Sequence, residues 1–297
     1  MPLRRRDFLA SAALGALARN AASAPPDSEP TSLRDQVAYQ VVQGRTLETA
    51  LAEMKVAQQD RAQAEEYYRQ LMAPLPAPSG NEPRALVIIG DFYHHPAKSR
   101  APLEAMLGKA GFRPQFLYDV KQLSAESFRG VKLLVVLRDG MLRPAPGADP
   151  VWWITDEQEK ALAQFVERGG GYLALHCATA LRWFGDKPCL YRDLLGSSNR
   201  GHGAEDEKFE VRVVAPEHPV TQGVHDFTVV DQHHRPGLFA DNLTVLLRTS
   251  GNNVHAYART YGEGRICYLA NGHHREVLES EPMQRLMTNA SRWCSRV

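Results

Sequence analysis

Cysteine is scarce in this chain and comes late: Cys177, Cys189, Cys267 and Cys294 are the only four in 297 residues. No cysteine near the N-terminus is available for lipoprotein attachment, and the absence of any CxxC pair excludes a zinc ribbon or a dithiol redox motif. Four cysteines in an oxidising compartment allow three disulfide pairings, and their spacing selects none. There is no HExxH, no internal repeat and no low-complexity tract outside the proline-rich linkers. A surplus of one charge is also lacking. The formal net charge is +1 and no long basic stripe occurs, so nucleic acid and anionic membrane are poor partners.

The first residues read as an address. Arg5-Arg6-Asp7-Phe8-Leu9 is a twin-arginine motif, followed by a weak apolar segment to Leu17 and small residues at Ala22-Ser23-Ala24. That segment falls short of the roughly 20 apolar residues that span a bilayer. Residues 1–24 are therefore expected to be a signal peptide and the protein to be periplasmic or secreted, exported by a route that carries folded proteins. The signal holds a net +3, leaving the mature chain near −2, with no membrane contact expected after cleavage.

Residues 25–83 are expected to form a helical arm between linkers. Leu47, Leu51 and Met54 recur at helical spacing within Leu33–Leu71, and Gly44 divides that stretch into two helices. Such an arm can pack on the main domain or on a second copy of the chain, the latter giving a homo-oligomer. Pro74–Gly80 ends it, because proline withholds a backbone donor and restricts the residue before it.

From Arg84 the period changes to strand, helix, strand. Ala85–Ile89, Pro114–Tyr118 and Val131–Leu137 read as buried strands, with a helix at Pro102–Ala110. Thr155–Arg168 is an amphipathic helix opened by a capping box of Thr155 and Gln158. Gly169-Gly170-Gly171 closes it and feeds a buried strand, Tyr172–Leu175, that ends on His176 and Cys177. Further strand candidates are Phe209–Val214, Phe227–Val230, Leu243–Leu247, His255–Ala258 and Arg265–Leu269, before a closing helix at Glu281–Trp293. This alternation is that of an α/β domain with a doubly wound, mostly parallel sheet over residues 84–297.

In such sheets ligands sit beyond the carboxyl ends of the strands. His94 and His95, His176, and His273 and His274 all follow strands, so segments far apart in sequence should meet on one rim. Asp91, Arg138, Asp139 and Asp231 are placed the same way, and His202, His233 and His234 lie in loops that reach over it. Imidazoles and carboxylates together suit proton transfer near neutral pH, or a divalent metal. His218, before Pro219, reads as a turn residue.

Several motifs in order carry a resemblance: Gly169-Gly170-Gly171 through His176 and Ala178, His218-Pro219-Val220-Thr221-Gln222-Gly223, Asp231, Tyr261-Gly262-Glu263-Gly264-Arg265-Ile266-Cys267-Tyr268, Gly272-His273 and Arg292-Trp293. Together they resemble the ThuA-like, or trehalose-utilisation, family over roughly Arg84–Trp293. The resemblance implies a flavodoxin-like fold of the class I glutamine-amidotransferase-like group and a role in carbohydrate metabolism, including keto-glycosides. Carried over, the family's polar pocket comprises His176, His202, Asp231 and His273. Where members typically carry Asp-Glu-x-Tyr, this chain has Asp231-Gln232-His233-His234, and Tyr257 stands where they have tryptophan.

Three functional readings follow. An enzyme acting on a sugar or keto-glycoside, as hydrolase, lyase or isomerase, would use His176, His273 and Asp231 for catalysis and His202, His233, His94, Arg138 and Tyr257 to hold substrate. A cysteine hydrolase would instead pair Cys177 with His274-Arg275-Glu276. A sugar-binding module without chemistry would stack rings on Trp152, Trp153, Trp183 and Tyr257.

Overall fold

The computed structural model describes residues 32–76, 81–182 and 189–297. The twin-arginine segment and Trp183 lie outside them. Three helices come first, α1 (Leu33–Val42), α2 (Leu47–Glu53) and α3 (Arg61–Leu71), one more than the sequence suggests. The additional break falls at Lys55, whose φ of 49° cannot continue a right-handed helix. Then follow β1 (Arg84–Ile89), α4 (Pro96–Ala110), β2 (Arg113–Leu117), β3 (Val131–Leu137), β4 (Met141–Leu142), β5 (Val151–Trp152), α5 (Asp156–Glu167) and β6 (Gly171–Leu175). The remainder comprises α6 (Leu190–Leu195), β7 (Ser197–His202), β8 (Glu207–Val213), β9 (Phe227–Asp231), β10 (His234–Leu238), β11 (Leu243–Thr249), β12 (Val254–Tyr261), β13 (Gly264–Leu269), α7 (Arg275–Glu279) and α8 (Glu281–Ser295).

Nine strands make the main sheet, in the order β2-β1-β3-β6-β13-β12-β11-β8-β9. The first five are parallel and the last four alternate antiparallel from β12 onward. The parallel strands are apolar on both faces because both faces are covered. Leu103, Met106, Leu107, Leu286, Met287 and Ala290 of α4 and α8 pack on one side, and Leu162, Val166, Leu194 and Leu195 of α5 and α6 on the other. α4 begins earlier than expected, since His95 caps it by accepting the Ala97 N–H at 3.2 Å. In α5 the capping box is formed, with Gln158 N donating to Thr155 Oγ1 at 3.3 Å and Thr155 N to Gln158 Oε1 at 3.0 Å.

The arm belongs to the same compact unit as the sheet, Thr31–Val297. Val37, Val41, Val42, Leu51 and Leu71 bury their apolar faces with Tyr118 of the main domain, so that stripe is covered by its own chain. Tyr39 Oη donates to the Phe92 carbonyl at 2.7 Å, and Arg143 N donates to the Gln43 carbonyl at 3.1 Å. The arm thus ends beside the carboxyl rim of the sheet. The four cysteines are free thiols, three of them buried.

The triple glycine has two separate jobs. Gly169, at φ 104°, ends α5 in a conformation that a side chain rarely adopts. At Gly171 the need is space, because a Cβ there would lie 2.7 Å from the Cys294 carbonyl carbon of α8. Gly171→Ala should therefore push α8 off β6 and lower stability by about 1–3 kcal/mol in urea unfolding. Gly108→Ala, on the exposed side of α4 with nothing within 4 Å, should instead be neutral or stabilising by up to about 1 kcal/mol.

Candidate functional site

β1, β3, β6 and β13 are parallel and end at one edge. Because β12, β11, β8 and β9 reverse in turn, β9 also ends there, and Asp231 joins the rim. His176 follows β6 directly, with a φ of 49°, a left-handed conformation that costs a non-glycine residue about 1–2 kcal/mol. Two hydrogen bonds hold this elbow. Tyr268 Oη donates to the His176 carbonyl at 2.9 Å, and His176 Nδ1 lies 3.0 Å from the Ala270 carbonyl. A carbonyl only accepts, so Nδ1 carries the proton and Nε2 keeps a lone pair. Among the described residues, Nε2 is buried without a hydrogen-bond partner.

Around that nitrogen stand other imidazoles. The rings of His94, His234 and His273 lie 4.9, 4.1 and 5.5 Å from that of His176. His94 Nδ1 donates to both oxygens of buried Asp91, at 2.8 and 2.9 Å, and His94 Nε2 lies 3.2 Å from His273 Nδ1. Burial alone would raise the Asp91 carboxyl, but His94 and Arg138 reverse this and hold it well below the usual carboxylate range. Burial disfavours the His94 imidazolium, yet Asp91 and its hydrogen bond outweigh that and raise His94. Burial and then repulsion from His94 lower His273 to about 3. The order Asp91–His94–His273 is therefore carboxylate, imidazolium, neutral imidazole, with the middle ring donating to both sides. Asp139, next along the rim, is pushed up to about 7 by burial and by Asp91.

Asp231 has a different task. Its Oδ2 accepts from Asn271 Nδ2 at 2.9 Å and Gly272 N at 2.8 Å, while Oδ1 accepts from His273 N at 3.1 Å and His274 N at 3.3 Å. With both oxygens so occupied, it clamps the loop that presents His273. Expected as a catalytic group, Asp231 is placed here as a positioning one.

His234 was not among the residues singled out for substrate, whereas its neighbour His233 was. The structure exchanges them. Gln232 and His234 face the cluster, with His234 Nε2 donating to Gln232 Oε1 at 3.1 Å and Nδ1 left buried without a partner. His233 points the other way, its ring 5.1 Å from both Phe209 and His255. Successive side chains of extended backbone take opposite sides, so only one of the two histidines could enter, a parity that can be used only once the strand is known. His202 is exposed, 5.3 Å from the His234 ring across the β7–β10 ribbon, and sits at the mouth.

Two further expectations are corrected. Arg138 is fully buried and spends its hydrogen bonds on backbone carbonyls. Its Nε donates to the Asp139 carbonyl at 3.0 Å and its Nη2 to those of Val42 and Met141 at 3.4 and 3.3 Å, which ties the arm to the rim. Tyr257 is fully buried in the middle of β12, its hydroxyl 2.6 Å from Ser197 Oγ; a mid-strand residue under β7 cannot meet a ligand at the strand ends. Trp153 is buried and donates to the Asp139 carbonyl at 3.2 Å, whereas Trp152 is exposed. His218 is the turn residue expected, accepting the Val220 N–H at 3.2 Å.

The cysteine-hydrolase arrangement is not assembled. His176 rather than Cys177 occupies the elbow, and the buried Cys177 thiol lies 3.7 Å from Asp91 Oδ2. Burial and then Asp91 raise that thiol well above its ordinary value, the opposite of what a thiolate nucleophile needs. His274 turns outward to the Glu205 carbonyl at 3.1 Å, and Glu276 is exposed.

The doubly wound, mostly parallel sheet is consistent with a flavodoxin-like fold. The ThuA family, described as trehalose utilisation, matches residues 84–294, and the chain belongs to it. A ThuA-like protein from Bacteroides uniformis is 19% identical with a TM-score of 0.56, covering 74% of this chain and 95% of its own. One from Parabacteroides merdae is 16% identical with a TM-score of 0.56, covering 72% and 90%. A cytoplasmic protein from Salmonella typhimurium is 13% identical with a TM-score of 0.54, covering 72% and 99%. No curated protein matches the chain. The family points to a role in carbohydrate metabolism, and the arm before residue 84 lies outside the match.

Behind the clamp, His255 makes a titration prediction. Asn271 donates its Nδ2–H to Asp231, so its Oδ1 must accept from His255 Nε2 at 2.6 Å. Burial first, against that hydrogen bond and with repulsion from His233, lowers His255 to about 3. An unfolded histidine protonates near 6.5, so between pH 6.5 and about 3 the unfolded chain binds a proton that the fold refuses. Stability should fall with falling pH in that window, by about 2 kcal/mol from this residue at pH 5. His255→Gln should flatten the acid side of a plot of unfolding free energy against pH; an unchanged slope would remove His255 from the account.

Proposed function

We propose that this chain is an exported enzyme of carbohydrate metabolism that moves a proton at a carbon next to a sugar carbonyl, with a keto-glycoside as the substrate class. The observation that carries the reading is the pairing of two unlike sets of imidazoles in one buried cluster. His176 Nε2 and His234 Nδ1 hold lone pairs without partners, which suits them to accept a proton from carbon. Asp91, His94 and His273 form a hydrogen-bonded chain that suits delivery of a proton to the carbonyl oxygen. As the C–H bond breaks, its electron pair moves into a carbon–carbon double bond and the oxygen takes the proton from His273 Nε2. His94 then reprotonates His273 through Nδ1. Return of the proton to the opposite face of the same carbon completes an epimerisation; return to the former carbonyl carbon, with loss of the neighbouring hydroxyl proton to a base, completes an isomerisation; and departure of a group at the next carbon gives a lyase.

The test is exchange of the carbon-bound proton of a 3-keto-glycoside with deuterated water, followed by NMR. His176→Ala and His234→Ala should each slow exchange by about 10²–10⁴-fold without loss of the thermal transition, while His202→Ala at the mouth should be mild. Wild-type exchange in a variant carrying both His176→Ala and His234→Ala would reject the assignment, and tight keto-glycoside binding with no exchange by the native protein would favour the binding-module reading. For export, the twin arginines are the support, and replacing both Arg5 and Arg6 by lysine should retain the precursor in the cytoplasmic fraction.

A further inference from the structure

We infer that His94 Nε2, His176 Nε2 and His273 Nδ1 form a three-imidazole site for one divalent transition-metal ion of the zinc type. The ligand atoms of these three residues lie within 4.8 Å of one another. His94 Nε2 and His273 Nδ1 are 3.2 Å apart, and two nitrogens on a tetrahedral zinc, each bonded at about 2.0–2.1 Å, stand about 3.3–3.4 Å apart. The shared proton of that pair therefore occupies a gap of the right width for a cation.

The outer partners are those that a ligating histidine requires. Metal-bound imidazole commonly donates its other N–H to a carboxylate or a backbone carbonyl, which sets the tautomer and aims the lone pair. His94 Nδ1 has the Asp91 carboxylate, and His176 Nδ1 has the Ala270 carbonyl at 3.0 Å. Asp91 is fixed in turn by the N–H groups of Tyr93, His94 and Asp139 at 2.8, 3.0 and 2.9 Å. The third observation is His176 Nε2 itself, fully buried and unpartnered. A buried polar atom without a partner is costly unless something not protein completes it.

Donor chemistry selects the ion. Imidazole nitrogen suits zinc, copper, iron or nickel, whereas magnesium and calcium take oxygen ligands. Three protein ligands leave a position open, the pattern of a catalytic rather than a structural zinc. The neighbouring set Asp91, His94 and Cys177 also lies close together. An ion there would have to displace the hydrogen bonds that hold Asp91, so the three histidines are preferred.

The site shares its residues with the proposed proton transfer and deepens it. A bound cation replaces the proton between His94 and His273, offers its open position to the sugar carbonyl oxygen, and leaves His234 Nδ1 as the base. The experiment starts with the purified full chain, stripped with chelator and titrated with zinc alone by calorimetry, with cobalt(II) for its visible absorption band. One ion should bind per chain and raise the thermal midpoint. His176→Ala and His273→Ala should weaken binding by about 100-fold or more, and Asp91→Asn by about 10–100-fold, while His202→Ala should bind as the native chain does. The zinc-induced thermal shift, absent in folded His176→Ala, separates lost ligation from lost structure. No stoichiometric binding, or unchanged binding in the His176→Ala, His273→Ala double variant, overturns the site. Proton exchange by the stripped protein with no zinc binding would overturn the metal alone; zinc binding with no exchange on a keto-glycoside would overturn the reaction alone.

Discussion

The hydrogen bond from His176 Nδ1 to the Ala270 carbonyl joins the ends of β6 and β13, and the chemistry of the rim depends on it. Adjacent parallel pairing of these strands, from Arg265 opposite Gly171 to Leu269 opposite Leu175, brings the two loops within reach. The bond then decides which ring nitrogen is protonated, and so which one faces the cluster. It also offsets part of the cost of the left-handed backbone at His176, with help from the Tyr268 hydroxyl. Without that bond, Nδ1 and Nε2 would be interchangeable and the cluster would have no defined lone pair.

A second constraint is charge. Four imidazoles packed within ring distances of 4.1 to 5.5 Å cannot all be protonated, because each cation lowers its neighbours in a low-dielectric setting. Burial lowers His176 and His234 well below the ordinary histidine value, with the neighbouring histidines adding to it. Asp91 stabilises positive charge chiefly at His94, the ring it hydrogen-bonds. The fold separates donor from acceptors by where it places one carboxylate. Asp231, a further carboxylate of the rim, is occupied by four N–H groups and clamps the loop instead.

Much of the fold was legible because parallel strands covered on both faces are apolar runs of the kind seen at Leu86–Ile89, Leu133–Leu137 and Tyr172–Leu175. The triple glycine, the Thr155 capping box and the clustering of histidines after strands could be read for the same local reasons. The β7–β10 ribbon could not. Ser197-Ser198-Asn199-Arg200-Gly201-His202 has neither apolar alternation nor β-branched residues, and it pairs only because β10 lies beside it. The missed partition of His233 from His234 was a question of strand parity, and parity is invisible until the strand is known. Tyr257 and Arg138 misled for another reason: their chemistry was right for a ligand, but their depth in the sheet and under the arm is a tertiary fact.

The register at the elbow decides which side chain the sheet presents at its rim. A strand-to-helix elbow exposes one side chain at the top of the sheet and turns the next one inward. Here the side chain turned toward the rim is that of buried His176, and Cys177, one residue later, falls beside Asp91, where a thiolate would meet a fixed negative charge. A thiol in that place stays protonated and serves as a small buried donor. That register keeps the thiol away from the converging strand ends. What remains at the focus is nitrogen lone pairs from strands distant in sequence, an arrangement suited to protons and cations.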